Sequence, residues 1–515
     1  MVNTGQVQAR AQIPQSWSGH SQAELRYRGK PAPADSFVLS EPERFPQLNG
    51  RVQVSGHQLS DPQHVDYPSS RYEIRCYAPG PQGKVRSLSF EELVAAQERP
   101  FQSELRFAVE GSTGRTRRDD EKTGMIAPKD HSLQVDSMDM LYESWGVGRQ
   151  YFEQMTEVGK VEQFQVRGLV SHGSLPYAEA ALSKAGISNF QLHPSESTGT
   201  WLEDYSEPLL DGGRVVPATF KGEGRKLSEV LEEARQARYE PLGLSGDFIK
   251  QGSVDSSDYQ KVGGAQGRVH GEQVYQARSY VEGGNMLSGL RPDGTPYVLV
   301  GKDSLDLTRE LLERHLGRKA QQQEVLETVA GDYGVEAEQV FPVEQPGEFH
   351  LDMRMSPLAP GVIGLQDSQL AAKMQAAWIR EELGSTMTEA WNQEVEDMVA
   401  AGDEAARYEA LARRDLEQAG LKVVPMAGAF RNMNSTKVDG ANFFNARHGT
   451  NPEGEKYTIM MGGTVKQEAY VADLLLGQGH LAAERLYFLD PEQNQETLPK
   501  QGGLKCRTKP HGQLA

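Results

Sequence analysis

Near its end the chain reads Gly502-Gly503-Leu504-Lys505-Cys506-Arg507-Thr508-Lys509-Pro510. This stretch holds one of the two cysteines of the protein. Three cationic side chains surround Cys506, and nearby positive charge favours the thiolate, which is the reactive form of cysteine. The two glycines before it let the backbone pass close to a substrate. Cys506 is therefore the candidate nucleophile, and its partners must come from elsewhere in the chain.

The overall charge limits the classes of partner. The 515 residues carry a formal net charge of −18, and the acidic residues are spread along the chain. This balance argues against a nucleic-acid partner, since phosphate binding needs a basic face, and it would attract a cationic substrate. The sequence therefore favours a small or peptidic cationic ligand.

The cysteine count and the hydropathy pattern indicate the cellular compartment of the protein. Two cysteines, Cys76 and Cys506, cannot form a disulfide framework, which favours a reducing, cytoplasmic compartment. No apolar run reaches the length of a membrane span, and residues 1–17 lack the apolar core of a secretion signal. The sequence predicts a soluble protein with no membrane partner. Export as an effector, by a machine that reads a polar leader, stays open.

Changes in composition divide the chain into four predicted segments. Residues 1–50 are polar and rich in Gln, Ser, Pro and Gly, which is typical of a flexible leader. Residues 51–110 contain alternating stretches such as Tyr72-Glu73-Ile74-Arg75-Cys76-Tyr77, which predict a small β-rich module. Residues 111–136 are predicted as a linker. Residues 137–515 alternate helical patterns with short apolar strands and are predicted as one α/β catalytic domain.

Periodicity predicts the main elements of residues 137–515. Helices are expected at about 147–158, 176–184, 227–238, 305–330 and 368–384. The longest helical pattern, Thr386 to Gly420, is interrupted at Gly402. Strands are expected at 164–170, 189–192, 421–424, 441–446, 457–461 and 486–489.

Four polar clusters fall where strands should end in loops. The first two are Trp201-Leu202-Glu203-Asp204-Tyr205-Ser206-Glu207-Pro208 and Val281-Glu282-Gly283-Gly284-Asn285. The third is Gly347-Glu348-Phe349-His350-Leu351-Asp352-Met353, which would place His350 and Asp352 on one face if it were extended. The fourth is the Cys506 segment. Each cluster alone fits an ordinary loop or turn, so the indication of a site comes from their order and spacing.

Together the four clusters resemble the guanidino-group modifying superfamily of arginine, agmatine and peptidylarginine deiminases and amidinotransferases. The resemblance covers about residues 190–510 and is closest to peptidylarginine deiminase-like proteins. Peptidylarginine deiminases and this chain share the tryptophan and the aspartate of the first cluster, Trp201 and Asp204. They also share an acidic residue three positions after the aspartate, here Glu207, and the closing segment. Small-guanidine deiminases usually have an arginine where this chain has Glu203, but they share the acidic residue at Glu282. The resemblance implies a pentein fold, a five-bladed αβ propeller whose active site lies on the central axis.

The resemblance also implies roles for the clustered residues. The cysteine would attack the guanidinium carbon, the histidine would act as acid and then as base, and two aspartates would grip the guanidinium. A covalent thiouronium would form, and the products would be citrulline and ammonia. Glu282 would orient the histidine. The catalytic candidates are Cys506, His350, Asp352 and Asp204, and the substrate-binding candidates are Asp204, Asp352, Glu282 and Trp201.

The resemblance leaves the cofactor open. The chemistry itself requires none, and no metal ligand is predicted. Calcium shapes the site of the peptidyl enzymes, and Glu203 and Glu207 could contribute to such a site, although the sequence favours solvated acidic side chains.

Several functions stay open. The lead prediction is a cysteine hydrolase that deiminates arginine in a peptide or protein. A deiminase of free arginine or agmatine, or an amidinotransferase, would use the same residues. A metal-dependent hydrolase built on His350, Asp352 and Glu282 would leave Cys506 unexplained, and a non-catalytic arginine-binding module would not need it. The oligomeric state is not indicated by the sequence.

Overall fold

The structure is a computed structural model. It describes residues 35–38, 51–54, 74–90, 93, 104–105, 115–116, 123–143, 146–171, 174–195, 199–219, 226–249, 259–431, 440–491, 497–498 and 502–515. The chain divides into two units, residues 1–65 and 66–515. In the first unit, strands β1 (Asp35–Val38) and β2 (Arg51–Val54) pair antiparallel. The rest of the predicted leader, 1–50, lies outside the described residues.

The second unit is a mixed α/β structure, as predicted. Its strands are β3 (Arg75–Pro79), β4 (Val85–Leu88), β5 (Glu104–Leu105), β6 (Arg115–Thr116), β7 (Leu133–Leu141), β8 (Gln165–Ser171), β9 (Phe190–Ser195), β10 (Glu207–Pro208), β11 (Gly213–Val216), β12 (Gln273–Gln276), β13 (Met286–Leu290), β14 (Pro296–Gly301), β15 (Val340–Val343), β16 (Met355–Ala359), β17 (Val362–Gln366), β18 (Lys422–Met426), β19 (Arg447–Thr450), β20 (Lys456–Met460), β21 (Arg485–Phe488) and β22 (Thr508–Leu514). Its helices are α1 (Gly146–Glu162), α2 (Leu175–Lys184), α3 (Leu202–Tyr205), α4 (Leu227–Tyr239), α5 (Tyr259–His270), α6 (Lys302–Leu316), α7 (Gln322–Tyr333), α8 (Ser368–Leu383), α9 (Glu389–Gln418), α10 (Val465–Ala472) and α11 (Leu504–Arg507). No helix among the described residues is long and apolar enough to cross a membrane.

One three-strand arrangement occurs five times among these strands. A first strand pairs antiparallel with a second, and the second pairs parallel with a third that is reached through a helical crossover. The five triplets are β22-β7-β8, β10-β11-β12, β13-β14-β15, β16-β17-β18 and β19-β20-β21. Their crossovers contain α1, α4 and α5, α6 and α7, α8 and α9, and α10, respectively. The repetition therefore lies in the backbone pairing, since the sequence shows no obvious repeat.

Two triplets share a ten-stranded sheet, which also contains strands that were predicted to belong to a separate module. Its order is β4-β3-β21-β20-β19-β7-β8-β9-β5, with β22 paired to β7. Strands β3 and β4, which the sequence assigned to a separate module at 51–110, thus extend this sheet through β21. Lys129 and Asp130, in the predicted linker 111–136, are buried. An alternating strand pattern looks the same in a small module and at the margin of a large sheet, so the sequence could not tell them apart.

Two local predictions differ from the structure. Helix α9 continues through Gly402 without a break. A Cβ at Gly402 would lie 2.8 Å from the carbonyl oxygen of Ser368 and 3.0 Å from Cβ of Ala372, so this glycine allows α8 and α9 to pack closely. Residues 441–446, predicted as a strand, form a loop with a single bridge at Asn442.

The strand after the cysteine pairs with a strand from the first part of the second unit. Strand β22 pairs antiparallel with β7, from Thr508 opposite Met140 to Leu514 opposite Leu133. Beneath it, β7 packs against α1 in a core of buried side chains that includes Leu504 from the cysteine segment. This pairing fixes the backbone directly after Cys506.

Candidate active site

Each of the five triplets begins just after a loop that carries a polar side chain. Asp204 precedes β10, Glu282 precedes β13, Asp352 precedes β16 and Cys506 precedes β22. The remaining triplet begins at β19, and the residue in the corresponding place is Asn445. The four sequence clusters therefore occupy equivalent positions in successive triplets, and a fifth position completes the set.

Asn445 holds the nucleophile candidate at two points. Its Nδ2 donates a hydrogen bond to Sγ of Cys506 over 3.1 Å, and its Oδ1 accepts one from the backbone N–H of Cys506, also over 3.1 Å. The Cys506 side chain is buried, with 2% of the residue exposed. Sequence reasoning missed Asn445 because it lies in the apolar stretch 441–446. Its place before the first strand of a triplet is the signal that would have found it.

The charges around Cys506 do not favour the thiolate as the sequence suggested. Lys505 pairs with Asp352 over 2.9 Å, and Arg507 pairs with Glu143 over 2.6 Å, so both cations are already partly neutralised. Burial of the thiol, followed by the negative charges of Asp352 and Asp204, raises the pKa of Cys506 well above its usual range. Lys505 opposes this shift without reversing it. Cys506 is therefore a thiol at neutral pH in the absence of a bound cation.

His350 lies between two carboxylates. Its Nε2 donates to Oε2 of Glu282 over 2.6 Å, and its Nδ1 lies 3.8 Å from Oδ1 of Asp204. Burial disfavours the charged ring, but Asp204 and the hydrogen bond to Glu282 outweigh it and raise the pKa of His350 to about 9. The other oxygen of Glu282 accepts hydrogen bonds from Tyr259 and Tyr280. Glu282 thus fixes the ring orientation, and His350 is an imidazolium at neutral pH.

The carboxylates of Asp204 and Asp352 are not fully occupied by hydrogen bonds. Asp204 accepts a hydrogen bond from the Gly284 N–H over 3.1 Å, and 16% of its side chain is exposed. Burial raises the pKa of Asp204 to about 7, although His350 opposes the shift. Asp352 is fully buried, and its Oδ1 has no hydrogen-bond partner among the described residues. Each aspartate therefore retains an oxygen that a cationic ligand could bind.

The His-x-Asp segment is not extended, so the condition for placing its two side chains on one face is not met. Residues Leu351–Met353 form a short 3-10 turn that begins after His350. His350 and Asp352 consequently contact different partners, Glu282 and Lys505.

Trp201 supports the cysteine segment. A Cβ on Gly502 would lie 2.2 Å from the Trp201 ring, so only glycine fits against the indole there. The guanidinium of Arg507 lies 6.0 Å from the ring centroid. The described contacts of Trp201 are thus with the residues flanking Cys506, and its predicted contact with substrate stays a prediction.

Glu203 and Glu207 belong to a buried ion cluster beneath the site. Glu203 lies 2.6 Å from Lys129, 2.6 Å from Arg447 and 3.0 Å from Lys509, and it is fully buried. Glu207 lies 2.7 Å from Lys129 and 3.1 Å from Lys509. The sequence suggested solvated side chains or ligands of calcium. Because cations already occupy these carboxylate oxygens, Glu203 and Glu207 do not fit a calcium site.

Removing the charge at the centre of this cluster should destabilise the protein strongly. Glu203→Ala would leave several buried cations without their shared anion, which we expect to lower the free energy of unfolding by about 3–5 kcal/mol. Chemical denaturation would measure the change. Glu404→Ala is the matched control, because it breaks an exposed pair with Arg407 within one helix and should hardly alter the unfolding midpoint. Equal effects of the two substitutions would contradict the assignment of Glu203 as the centre of the cluster.

One group of described side chains lies close enough together to share a metal ion. It consists of Asp139, His270 and His511, with Nε2 of His270 2.6 Å and Nε2 of His511 3.0 Å from the same oxygen of Asp139. None of the predicted site residues belongs to this group. The trio His350, Asp352 and Glu282, considered for a metal-dependent hydrolase, does not form such a group.

The chain was compared with known families and structures. No protein-family model and no curated protein matches it. Among solved structures, agmatine deiminase of Enterococcus faecalis is 14% identical with a TM-score of 0.46, and the match covers 77% of this chain and 99% of that one. A structural-genomics structure described as an agmatine deiminase is 15% identical with a TM-score of 0.46, covering 75% and 96%. An amidinotransferase from Microseira wollei, of saxitoxin biosynthesis, is 11% identical with a TM-score of 0.29, covering 76% and 98%.

The sequence resemblance and these matches name the same classes of enzyme. At these identities and TM-scores the likeness assigns no activity to this chain. The chemistry must therefore be inferred from the side chains of the site.

Proposed function

We propose that this chain is a cysteine-dependent deiminase that hydrolyses the guanidinium group of arginine, in a peptide or protein, to citrulline and ammonia. The observation that carries the proposal is the free, buried Oδ1 of Asp352 close to the thiol of Cys506. A buried anionic oxygen without a partner is costly unless a cationic ligand binds it. Asp204 offers a second carboxylate, and a planar guanidinium carries donors on both edges.

The first half of the reaction follows from the charges. A guanidinium bound between Asp204 and Asp352 would neutralise the two carboxylates that raise the pKa of the Cys506 thiol. The thiol could then lose its proton to water, and the thiolate would attack the guanidinium carbon to form a C–S bond and a tetrahedral adduct. Substrate binding would thus produce the nucleophile at the moment when it is needed.

The second half of the reaction uses His350. The imidazolium would give its proton to the departing nitrogen, which would leave as ammonia from a covalent thiouronium. Neutral His350 would take a proton from water, and the hydroxide would add to the same carbon. The C–S bond would then break as the hydroxyl proton leaves, to give the ureido product and the Cys506 thiolate. Glu282 would hold the ring in place through both proton transfers.

We also propose that the five triplets form the blades of a pentein propeller. The support is positional, because each first strand follows a loop that contributes one of Asp204, Glu282, Asp352, Asn445 and Cys506. Contacts link the loops, as in the pairs of Glu282 with His350 and of Asn445 with Cys506. A ring of five blades would explain why residues so far apart in sequence meet at one site.

A deiminase of a small guanidine is the second candidate. The observation that favours it is the 2.6 Å contact between Glu282 and His350, since the resemblance placed an orienting carboxylate there in small-guanidine deiminases. The support for a protein substrate is also weaker than the sequence suggested, because β3 and β4 belong to the main sheet and not to an accessory module. An amidinotransferase would use the same residues with an amine in place of water.

A panel of substrates separates these functions. Purified protein would be incubated with arginine-containing peptides, free arginine and agmatine, with and without calcium, while ammonia and ureido product are measured. Turnover of peptides supports the lead proposal, whereas turnover of free arginine or agmatine alone supports the second candidate. Transfer of the amidino group to an added amine, without ammonia, would indicate an amidinotransferase. If no guanidine is turned over or transferred, the proposed activity is wrong.

The rate should depend on pH through Asp204 and His350. Asp204 must be ionised to bind the guanidinium, so kcat/KM should rise as pH passes the pKa of Asp204 at about 7. His350 must be protonated to release ammonia, so kcat, which reports the complex after the thiol has lost its proton, should fall as pH passes the pKa of His350 at about 9. Initial rates with the preferred substrate, measured from about pH 5 to 11, would test both limbs. A rate that keeps rising past the upper limb would contradict the role of His350 as an acid.

A further inference from the structure

Lys505, the residue directly before the nucleophile candidate, is a buried cation within the site. Its Nζ lies 2.9 Å from Oδ2 of Asp352 and 3.4 Å from Oε1 of Glu203, and 4% of its side chain is exposed. Burial alone would lower the pKa of Lys505, but Asp352 and Glu203 raise it above its ordinary value. Lys505 is therefore charged and held between two anions.

The two anions depend on Lys505 to different degrees. Glu203 also contacts Lys129, Arg447 and Lys509, all closer than Lys505. For Asp352, Lys505 is the cation in contact within the part of the chain that the structure describes. Loss of the Lys505 charge would therefore affect Asp352 far more than Glu203.

The contact with Lys505 also gives the two oxygens of Asp352 different surroundings. Oδ2 is bound to the ammonium, while Oδ1 stays buried without a hydrogen-bond partner among the described residues. A carboxylate that is fixed by one oxygen loses little further freedom when the other oxygen binds a ligand.

We propose that Lys505 is a positioning residue that fixes Asp352 by one oxygen, so that Oδ1 is presented to the cationic group of a ligand. This inference rests on the proposed function for the nature of the ligand, a guanidinium. It assigns to Lys505 a part in binding that the sequence resemblance did not include. The inference also explains why a lysine lies directly before Cys506, although Lys505 lowers the pKa of the Cys506 thiol only weakly.

The test measures binding without turnover. In a Cys506→Ala background, Lys505→Met removes the charge at similar length and Lys505→Arg retains it. Calorimetric titrations with guanidinium chloride, agmatine and an N-acetylated arginine amide would be carried out at one neutral pH. We expect Lys505→Met to weaken binding at least about tenfold and Lys505→Arg to stay close to the parent.

Lys509→Met is the matched structural control. Lys509 is also a buried cation of the same segment, but it pairs with Glu203 and Glu207 and not with Asp352. We expect it to lower the unfolding midpoint as much as Lys505→Met while leaving affinity unchanged. Equal losses of affinity in both variants would indicate a merely structural role and overturn the proposal.

The remaining outcomes are also decisive. Unchanged affinity in Lys505→Met, or no binding of any of the three probes to the parent, would overturn the role assigned to Lys505. Turnover by the protein with Cys506 intact is scored separately through ammonia release. Ligand binding that depends on Lys505, without turnover, would support the inference while the proposed hydrolysis fails.

Discussion

Replacing Cys506 with alanine should abolish release of ammonia from guanidino substrates, with a loss on the order of 10⁴-fold or more. The thiol is the group placed to form a covalent bond with the guanidinium carbon, and the described residues around it offer no second nucleophile in the same position. Asn445, which binds both the thiol and the backbone of residue 506, would keep the loop in place. The variant should therefore still bind substrate, as calorimetry would show.

Cys76→Ala is the matched control for this substitution. Cys76 is the other free cysteine, fully buried in β3, and burial followed by the charge of Glu162 raises its pKa to about 12. Its loss should leave turnover near the parent rate. Mass spectrometry of protein quenched during turnover should find an adduct on Cys506 in the parent and in Cys76→Ala only. Substantial activity in Cys506→Ala would refute covalent catalysis at this residue.

His350→Gln should lower kcat by about 10²–10⁴-fold, which is the usual contribution of a general acid–base group. Glutamine can retain a hydrogen bond to Glu282 but cannot deliver a proton to the departing nitrogen. The descending limb of the pH profile near pH 9 should disappear with the histidine, since that limb reports His350. A rate loss that leaves this limb in place would mean that another group provides the acid.

Glu282→Gln is the comparison for the histidine variant. It removes the carboxylate charge but keeps an acceptor for His350 Nε2 and for the two tyrosines. The pKa of His350 should fall, because Glu282 is one of the charges that raise it, and the descending limb should move to lower pH. The loss in kcat should be smaller than in His350→Gln. A larger loss would assign the proton transfers to Glu282.

The sequence revealed most of the candidate site because its residues carry chemical signatures. A cysteine flanked by glycines, a His-x-Asp and a Glu-Gly-Gly are visible without knowledge of the fold, and the structure links them through their contacts. The roles proposed for them await experiment. Asn445 escaped notice because an amide in an apolar stretch has no such signature, and its function depends on where the loop lies.

The buried ion pairs could not be predicted from the sequence either, and the reason differs from the one that applies to Asn445. An acidic residue looks solvated until its partner is known, and the partner of Glu203, Arg447, is 244 residues further along the chain. The same limit applies to β3, whose pattern fitted a separate module until its pairing with β21 was seen. Long-range pairing decides both cases, and local composition does not report it.

The pairing of β22 with β7 bears on when the candidate site is completed during synthesis. During synthesis, β7 and all the other site loops leave the ribosome well before β22, so β7 must wait for a partner that is hundreds of residues away. A chain that ends at Arg507 would contain every candidate catalytic residue and still lack the strand that fixes the nucleophile. We expect such a truncated protein to release no ammonia, whereas removal of Gln513 to Ala515 should be tolerated. The candidate nucleophile would thus reach its final position only after the last strand has paired, so the proposed chemistry could not begin on an unfinished chain.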